Sequence, residues 1–243
     1  MKAFILAAGL GTRLGDLTKD RPKALVKING EELLALTIRR LKEQGFTEIV
    51  VNIHHHGEMV MDFLKKYDDF GVPIHISDER DQLLDTGGAL VKAAKYLNGD
   101  EPVLVHNVDI ISEVNFSKLL AFHAERQALS TLCVRERASD RALIFDHQWQ
   151  LKGWSNNKTG EFKWSTSPVT GYQTYAFSGI YVISPEFIRK INQKGKFSII
   201  DTWLDLAGKN KIAGYLDKSE YWFDLGTSEK IKNAELYLKN KGY

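Results

Sequence analysis

With 243 residues, 43% hydrophobic and 26% charged, the chain is long enough for one large α/β domain or two small ones. A net charge of +2 is too small to argue for a nucleic-acid or membrane surface by bulk electrostatics, and no apolar run is long enough to span a bilayer. The single cysteine, Cys133, excludes an internal disulfide and fits a reducing compartment. With no basic, cleavable leader in view, the expected location is the cytoplasm.

The first 25 residues organise the rest. Phe4-Ile5-Leu6-Ala7-Ala8 reads as a buried strand that opens into Gly9-Leu10-Gly11-Thr12-Arg13-Leu14. Two glycines there suit either close approach of backbone N–H groups to a phosphate or a tight turn with positive φ. The third glycine of a dinucleotide fingerprint is missing, and no Gly-Lys-Ser/Thr makes it a P-loop. Arg13 and Lys23 add two cations beside the loop, which favours a nucleoside triphosphate as its occupant.

Glu31 to Gln44 carries Leu34, Ile38 and Leu41 at helical spacing, and Gly45 is placed to stop it. Glu48–Ile53 is a strand, Gly57–Tyr67 a helix and Pro73–Ile76 a short strand. His54-His55-His56 invites a metal. On an extended segment, however, His55 points away from its neighbours, and spacing supplies no further ligand, so surface or site-rim histidines are expected.

Asp85-Thr86-Gly87-Gly88-Ala89-Leu90 places Asp85 or Thr86 as cap of a helix that begins at the glycine pair. Bare backbone N–H groups there suit an anion or a nucleobase edge, or else a tight turn with close helix–sheet packing. Pro102–His106 is an apolar strand ending in Asn107-Val108-Asp109. A carboxylate just beyond a central parallel strand is where open α/β sheets place ligand chemistry. The plain alternative is a turn, or a cap for the helix near Asn115 to Gln127.

The second half changes character. Ser130–Arg135, Ala142–Phe145 and Trp149–Trp154 read as strands, with Cys133 a small apolar residue in the first. Asn156–Gly171 reads as a long exposed loop. Its aromatics Phe162 and Trp164, with Trp154, could stack on a sugar, form a partner surface or pack on their own domain. Ala176–Ile183 is a strand containing Ser178-Gly179, Pro185 opens a helix over Glu186–Ile191, and Ser198–Ala207 is another helix. Lys211–Leu216 and Tyr221–Phe223 are short strands. Asp224 lies in a turn whose Thr227 caps the last helix, through Leu238; it is either a plain helix entry or a metal ligand.

Taken together, Ala7-Ala8-Gly9-Leu10-Gly11-Thr12-Arg13-Leu14 with Pro22-Lys23, then Asp85–Ala89, Asn107 with Asp109, Phe177–Ile180 and Trp222–Thr227 resemble the sugar-1-phosphate nucleotidylyltransferases, in the family's order and over essentially the whole chain. The absence of a C-terminal repeat domain is similar to the short, single-domain members. The resemblance is strongest to the uridylyltransferases for N-acetylmuramate 1-phosphate, with heptose and mannose 1-phosphate guanylyltransferases as neighbours.

The resemblance implies a three-layer α/β/α Rossmann-like fold with a mixed, mostly parallel sheet. It would be a single domain, 1–243, with a nucleotide-binding half (1–128) and a sugar-binding half (129–243, loop 155–175). It implies transfer of a nucleotidyl group from UTP or GTP to a sugar 1-phosphate, with Mg²⁺ as cofactor. Partners beyond these substrates would be none, or a second copy in a homodimer. Arg13 would hold the triphosphate, Lys23 bridge phosphates, and Asp109 and Asp224 hold Mg²⁺. Leu6, Ala8, Gly9, Gly11, Thr12, Glu79, Gly87 and Gly88 would face the nucleotide, and Asn107, Arg141, Gly153, Ser178 and Gly179 the sugar.

Two positions depart from the family pattern. Val108 stands where many members have glycine. The family's sugar-phosphate lysine is missing from Gly153-Trp154-Ser155-Asn156-Asn157, with Arg141 or Lys152 as candidate substitutes. Two other readings stay open: a cytidylyltransferase for a phospho-alcohol caged by Trp154 and Trp164, and a nucleotide-sensing protein that keeps the fold without turnover.

Overall fold

The computed structural model describes residues 1–241. Its centre is four parallel strands, β1 (Lys2–Leu6), β4 (Glu48–Ile53), β5 (Ile74–Asp78) and β6 (Val103–Asn107), side by side in the order β5-β4-β1-β6. The chain leaves β1 toward β4 and β5, then returns to place β6 on the other side of β1. The strand order therefore reverses between β1 and β6, and a crevice opens there beyond their C-terminal ends.

Beyond β6 the sheet continues through β12 (Gln173–Ile183), which pairs antiparallel with β6, with β8 (Ser130–Arg135) and with β9 (Arg141–Phe145). β8 carries β13 (Ile212–Leu216) in parallel, and β9 carries β10 (Leu151–Asn156) and then β11 (Glu161–Trp164), both antiparallel. β10 and β12 run against the other strands of this ten-stranded sheet, so it is mixed but mostly parallel, as expected.

Alternation along the strands divides the core in two. Ala3 and Ile5 of β1, Ile49 and Val51 of β4 and Leu104 of β6 face one layer; Phe4, Val50, Val103 and Val105 face the other. The first layer is covered by α1 (Leu33–Glu43), α2 (Gly57–Lys66), α4 (Phe116–Arg126) and α6 (Ser228–Asn240), the second by α3 (Asp85–Leu97) and α5 (Ile199–Ala207). A one-residue slip of β1 would exchange Phe4 for Ile5 across the sheet. Each fully buried side chain of this kind contributes about 1.5–3 kcal/mol, so the register is firmly set. No helix among the described residues is long and apolar enough to cross a membrane.

Several local expectations are corrected. Asn156–Gly171 is not a plain loop, because β11 pairs with β10 from Gly153↔Trp164 to Asn156↔Glu161. Pro185 leads only to a 3-10 turn at Ile188–Lys190. α3 starts at Asp85, with Leu84 before it and no side-chain cap, so the glycine pair lies inside its first turn. The rings of His55 and His56 stand 3.9 Å apart, since His56 has a positive φ (53°) and the segment is a turn, not an extended strand.

Three short strands were not anticipated: β2 (Lys27–Ile28) with β3 (Glu31–Glu32), and β7 (Ile110–Ser112). β7 pairs antiparallel with β14 (Trp222–Asp224) and positions the site.

Candidate active site

The cradle at the end of β1 is braced from beneath. Asn52 of β4 is buried, and its Oδ1 accepts from the amides of Ala7 (2.6 Å) and Ala8 (3.2 Å). Asn52 Nδ2 donates to Glu79 Oε1 (2.7 Å), while Glu79 Oε2 accepts from the Leu84 amide (3.1 Å). Burial raises the Glu79 carboxyl above its usual range, against the pull of these two donors. Glu79 borders the cavity, but both of its oxygens are engaged in holding the brace.

Above the brace lies a cavity of about 330 Å³, bordered by Leu6, Ala8, Gly9, Asn107 and Asp109 among others, at the small end of the range for ligand pockets. Nothing approaches Gly9 within 4 Å of where a side chain would sit, so its backbone is open to a ligand. Gly11 has φ +65°, and its carbonyl accepts from Thr18 Oγ1 (3.0 Å) and from the Leu14 amide (2.8 Å). The turn this closes begins at Thr12 and carries Arg13.

The glycine pair of α3 has a different neighbour from the one expected. The amides of Gly87 and Gly88 both point at the Phe197 carbonyl (3.0 and 3.4 Å), and Phe197 N donates back to Leu84 O (3.2 Å). A side chain on Gly87 would run into the Phe197 ring, and one on Gly88 into the Gly195 carbonyl. Close packing, not an open nucleobase edge, is what these glycines serve in this structure. The same segment brings Lys196 to the cavity.

The charged centre is assembled by the β7–β14 ribbon. Asp224 pairs with Ile110, and the Leu225 amide donates to the Asp109 carbonyl (2.9 Å). Lys23, buried on the loop after the cradle, pairs with Asp109, and Lys230 of α6 pairs with Asp224 (2.6 Å). A Cβ on Gly226 would stand 2.7 Å from Arg13 Nη2 and 2.9 Å from Asp224 Oδ1, so only glycine leaves room for that guanidinium and carboxylate together. Burial pushes the Asp224 carboxyl up. The Lys230 hydrogen bond and the charges of Lys230, Lys23 and Arg13 outweigh it, and the group lies below its usual range.

Val108 leaves Asp109 in the site. Its side chain is buried in the core, and its amide donates to Leu6 O (3.1 Å). Helix α4 is capped by Asn115, whose Oδ1 accepts from Lys118 N (2.9 Å), so Asp109 is not spent as a cap. Among the described residues no group of three or more His, Cys, Asp or Glu side chains is placed to hold a metal. Asp109 and Asp224 are tied through the Leu225 amide and both lie near Lys23, two hard-oxygen donors of the kind that suits a divalent cation whose other ligands are phosphate oxygens and water.

On the far side of Asp109, β12 is irregular between Phe177 and Tyr181, and Gly179 takes φ +74°. A Cβ on Gly179 would stand 2.7 Å from Ile110 Cγ1 and 3.1 Å from Asn107 Nδ2, so Gly179 and Asn107 are neighbours. Ser178 is fully buried beside Cys133, and its carbonyl accepts from Trp222 Nε1 (2.8 Å). Arg141 is exposed at the start of β9, opposite Asn156.

Gly153 is filled over by Lys163 O and the Trp164 ring, a packing position in the β10–β11 hairpin. Lys152 pairs with Asp146 (3.2 Å) and borders a separate cavity with Arg126 and Lys211, so it does not stand in for the missing lysine. Trp154 is buried and Trp164 stacks on Phe162, so no aromatic cage forms between them.

Three residues of this region were not anticipated: Asn52, Lys196 and Lys230. A lone asparagine inside the apolar run Ile49–Ile53 was the one legible signal, since a buried amide demands partners. The two lysines look like ordinary surface residues in sequence.

Residues 2–145 match the nucleotidyl transferase family. The chain is 31% identical over 240 residues to N-acetylmuramate alpha-1-phosphate uridylyltransferase of Neisseria meningitidis serogroup B, covering 97% of both chains. It is 38% identical over 243 residues to probable mannose-1-phosphate guanylyltransferase 3 of Oryza sativa subsp. japonica, covering 98% of this chain and 65% of that one. Among solved structures, HddC from Yersinia pseudotuberculosis superposes with a TM-score of 0.77 at 25% identity, covering 98% of this chain and 99% of that one. The fold and these relatives together make the chain a member of the nucleotidyl transferase family and a sugar-1-phosphate nucleotidyltransferase.

Proposed function

We propose that the enzyme transfers a uridylyl group from UTP to an amino-sugar 1-phosphate, N-acetylmuramate 1-phosphate foremost, releasing pyrophosphate in the cytoplasm. The observation that carries this is the meeting of Arg13, Lys23, Asp109 and Asp224 at the mouth of the cavity between β1 and β6. The full-length match to the Neisseria enzyme supports the choice of base and sugar.

A phosphate monoester is already an anion, so no enzyme nucleophile is needed. Its oxygen attacks the α-phosphorus in line while the bond to pyrophosphate breaks. Positioning and charge neutralisation lower the barrier. Residues 1–128 hold the nucleotide: the Ala8–Gly11 backbone lines its phosphates, and Arg13 meets the charge growing on the leaving pyrophosphate. Lys23 exchanges its contact with Asp109 for the reacting phosphates. Residues 129–243 hold the sugar beside Asn107 and Gly179. Asp109 and Asp224 would hold Mg²⁺, which when bound would supply neutralisation of the phosphate oxygens.

The 38% identity to a mannose-1-phosphate guanylyltransferase favours GTP with mannose 1-phosphate as the second reading. Pyrophosphate release across UTP, GTP, CTP and dTTP against N-acetylmuramate, N-acetylglucosamine, glucose, mannose and heptose 1-phosphates decides between them. UTP with N-acetylmuramate 1-phosphate as the productive pair carries the first reading; GTP with mannose 1-phosphate replaces it. Loss of the signal with chelator and its return with Mg²⁺ tests the metal.

A further inference from the structure

The sequence lacks a lysine where the family places one for the sugar phosphate, and the structure holds one cation in a made-to-measure seat near Asp224. Arg137 lies on the loop after β8. Its Nη2 donates to the Phe177 carbonyl (3.1 Å), and its guanidinium carbon sits 4.3 Å from the centre of the Trp222 ring. The ring is itself fixed, because Trp222 Nε1 donates to the Ser178 carbonyl (2.8 Å).

The two carbonyls are consecutive, and they lie where the pairing of β12 slips and Gly179 turns to positive φ. Phe177 is the last residue of β12 in register with β8 before the slip and Ser178 lies within it; their carbonyls hold the arginine and the indole. Trp222 and Asp224 are two residues apart on β14, so they share a face of the ribbon. Arg137 therefore stands over the side of β14 on which Asp224 lies, and the Asp224 charge acts on it. Among the described residues no carboxylate forms a salt bridge with Arg137. Arg137 Nη1 also donates to the Ala138 carbonyl (3.3 Å), so the guanidinium is stacked on indole and anchored by two N–H groups, and its other three remain for a planar or tetrahedral oxyanion.

We propose that Arg137, clamped between the Phe177 carbonyl and the Trp222 ring, binds the phosphate of the acceptor sugar 1-phosphate. This rests on the transferase reading for the identity of the acceptor, and the seat itself is read from the geometry alone. Arg137 replaces the missing lysine in charge, and the stack on Trp222 replaces the lysine's flexibility with a fixed direction of approach.

The test compares wild type with Arg137→Ala and Arg137→Lys in two measurements. In steady-state kinetics on the productive substrate pair, Arg137→Ala raises the acceptor KM about 10- to 100-fold, the usual cost of a lost charge-assisted contact, and leaves the nucleotide KM within about twofold. Arg137→Lys recovers part of the loss. In the second measurement, tryptophan fluorescence is titrated with N-acetylmuramate 1-phosphate and with mannose 1-phosphate, without nucleotide. The wild-type change is absent in Arg137→Ala and in Trp222→Phe.

Equal acceptor KM and equal titrations in wild type and Arg137→Ala overturn the assignment, as does an equal rise in both KM values. A wild type that responds to neither sugar phosphate overturns it too. Arg137-dependent titration without turnover on any pair removes the transferase reading and keeps the phosphate seat.

Discussion

The Leu225 amide donates to the Asp109 carbonyl at 2.9 Å. That single bond, with the Asp224↔Ile110 pairing, ties the two acids of the site through backbone, so neither depends on a flexible side chain to find the other. Asp109→Asn and Asp224→Asn should each lower kcat/KM by about 10²–10³-fold. Thermal denaturation should change little for Asp224→Asn, whose partner Lys230 is exposed, and should fall for Asp109→Asn, which leaves the buried Lys23 ammonium without its counter-charge. An Mg²⁺ titration of activity checks it: both variants should need more metal for half-maximal rate.

Asn52→Ala should cost about 3 kcal/mol or more. It strands two buried amides at Ala7 and Ala8 and one oxygen of Glu79, each worth about 1–3 kcal/mol when unsatisfied. The Glu79 carboxyl would rise further, because the Asn52 donor that opposes burial is gone. Urea denaturation at neutral pH measures the loss. Nucleotide KM measures the slackened cradle and should rise as well.

Gly179→Ala should destabilise the fold by about 1–3 kcal/mol. The positive φ costs an L side chain about 1–2 kcal/mol, and the new methyl meets Ile110 and Asn107 below normal contact. Because both neighbours flank Asp109, acceptor KM should rise with the nucleotide KM unchanged. Denaturant midpoint and kinetics on one preparation separate the two effects.

His106 and His123 give the fold an acid-sensitive margin. Burial holds each at about 4, against an ordinary 6.5. Below 6.5 the unfolded chain takes up protons that the folded chain refuses, so the stabilisation is full above pH 6.5 and is lost as pH falls toward 4. Each ring accounts for about 3 kcal/mol. Glu79 acts in the opposite sense, since a raised carboxyl binds its proton first in the folded state. Urea midpoints at pH 7.5 and 4.5 should differ in wild type. The difference should shrink in His123→Gln, which can still hydrogen-bond near Thr131 and Ser184.

The parallel strands were legible because both faces are buried and the apolar runs are continuous: Glu48–Ile53 is β4 residue for residue. Thr227 was placed as a cap, and its Oγ1 accepts from Lys230 N (3.3 Å). Arg13, Lys23, Asp109 and Asp224 were named by motif, and the structure brings them to one place. What escaped were features set by partners distant in sequence. Phe197 took the Gly87 and Gly88 amides from a segment with no pattern to mark it. β11 formed in a segment dominated by Asn, Thr, Ser and Gly, where its short alternation Glu161-Phe162-Lys163-Trp164 pairs with the edge that β10 offers. Arg137 meets the Phe177 carbonyl and the Trp222 ring at the edge of a slip in β12, and no spacing records such a slip.

The β7–β14 ribbon also sets when the enzyme can exist. A nascent chain folds from its N-terminus, and by residue 145 it already carries the cradle, Lys23 and Asp109. The second acid arrives only with β14, and Lys230 and the cover of α6 later still. Until residue 224 is free to pair with Ile110, the growing polypeptide has the cradle after β1 but only one of the two acids. A chain shortened before Trp222 would keep the cradle, Lys23 and Asp109 and would lack Asp224 and its partner Lys230.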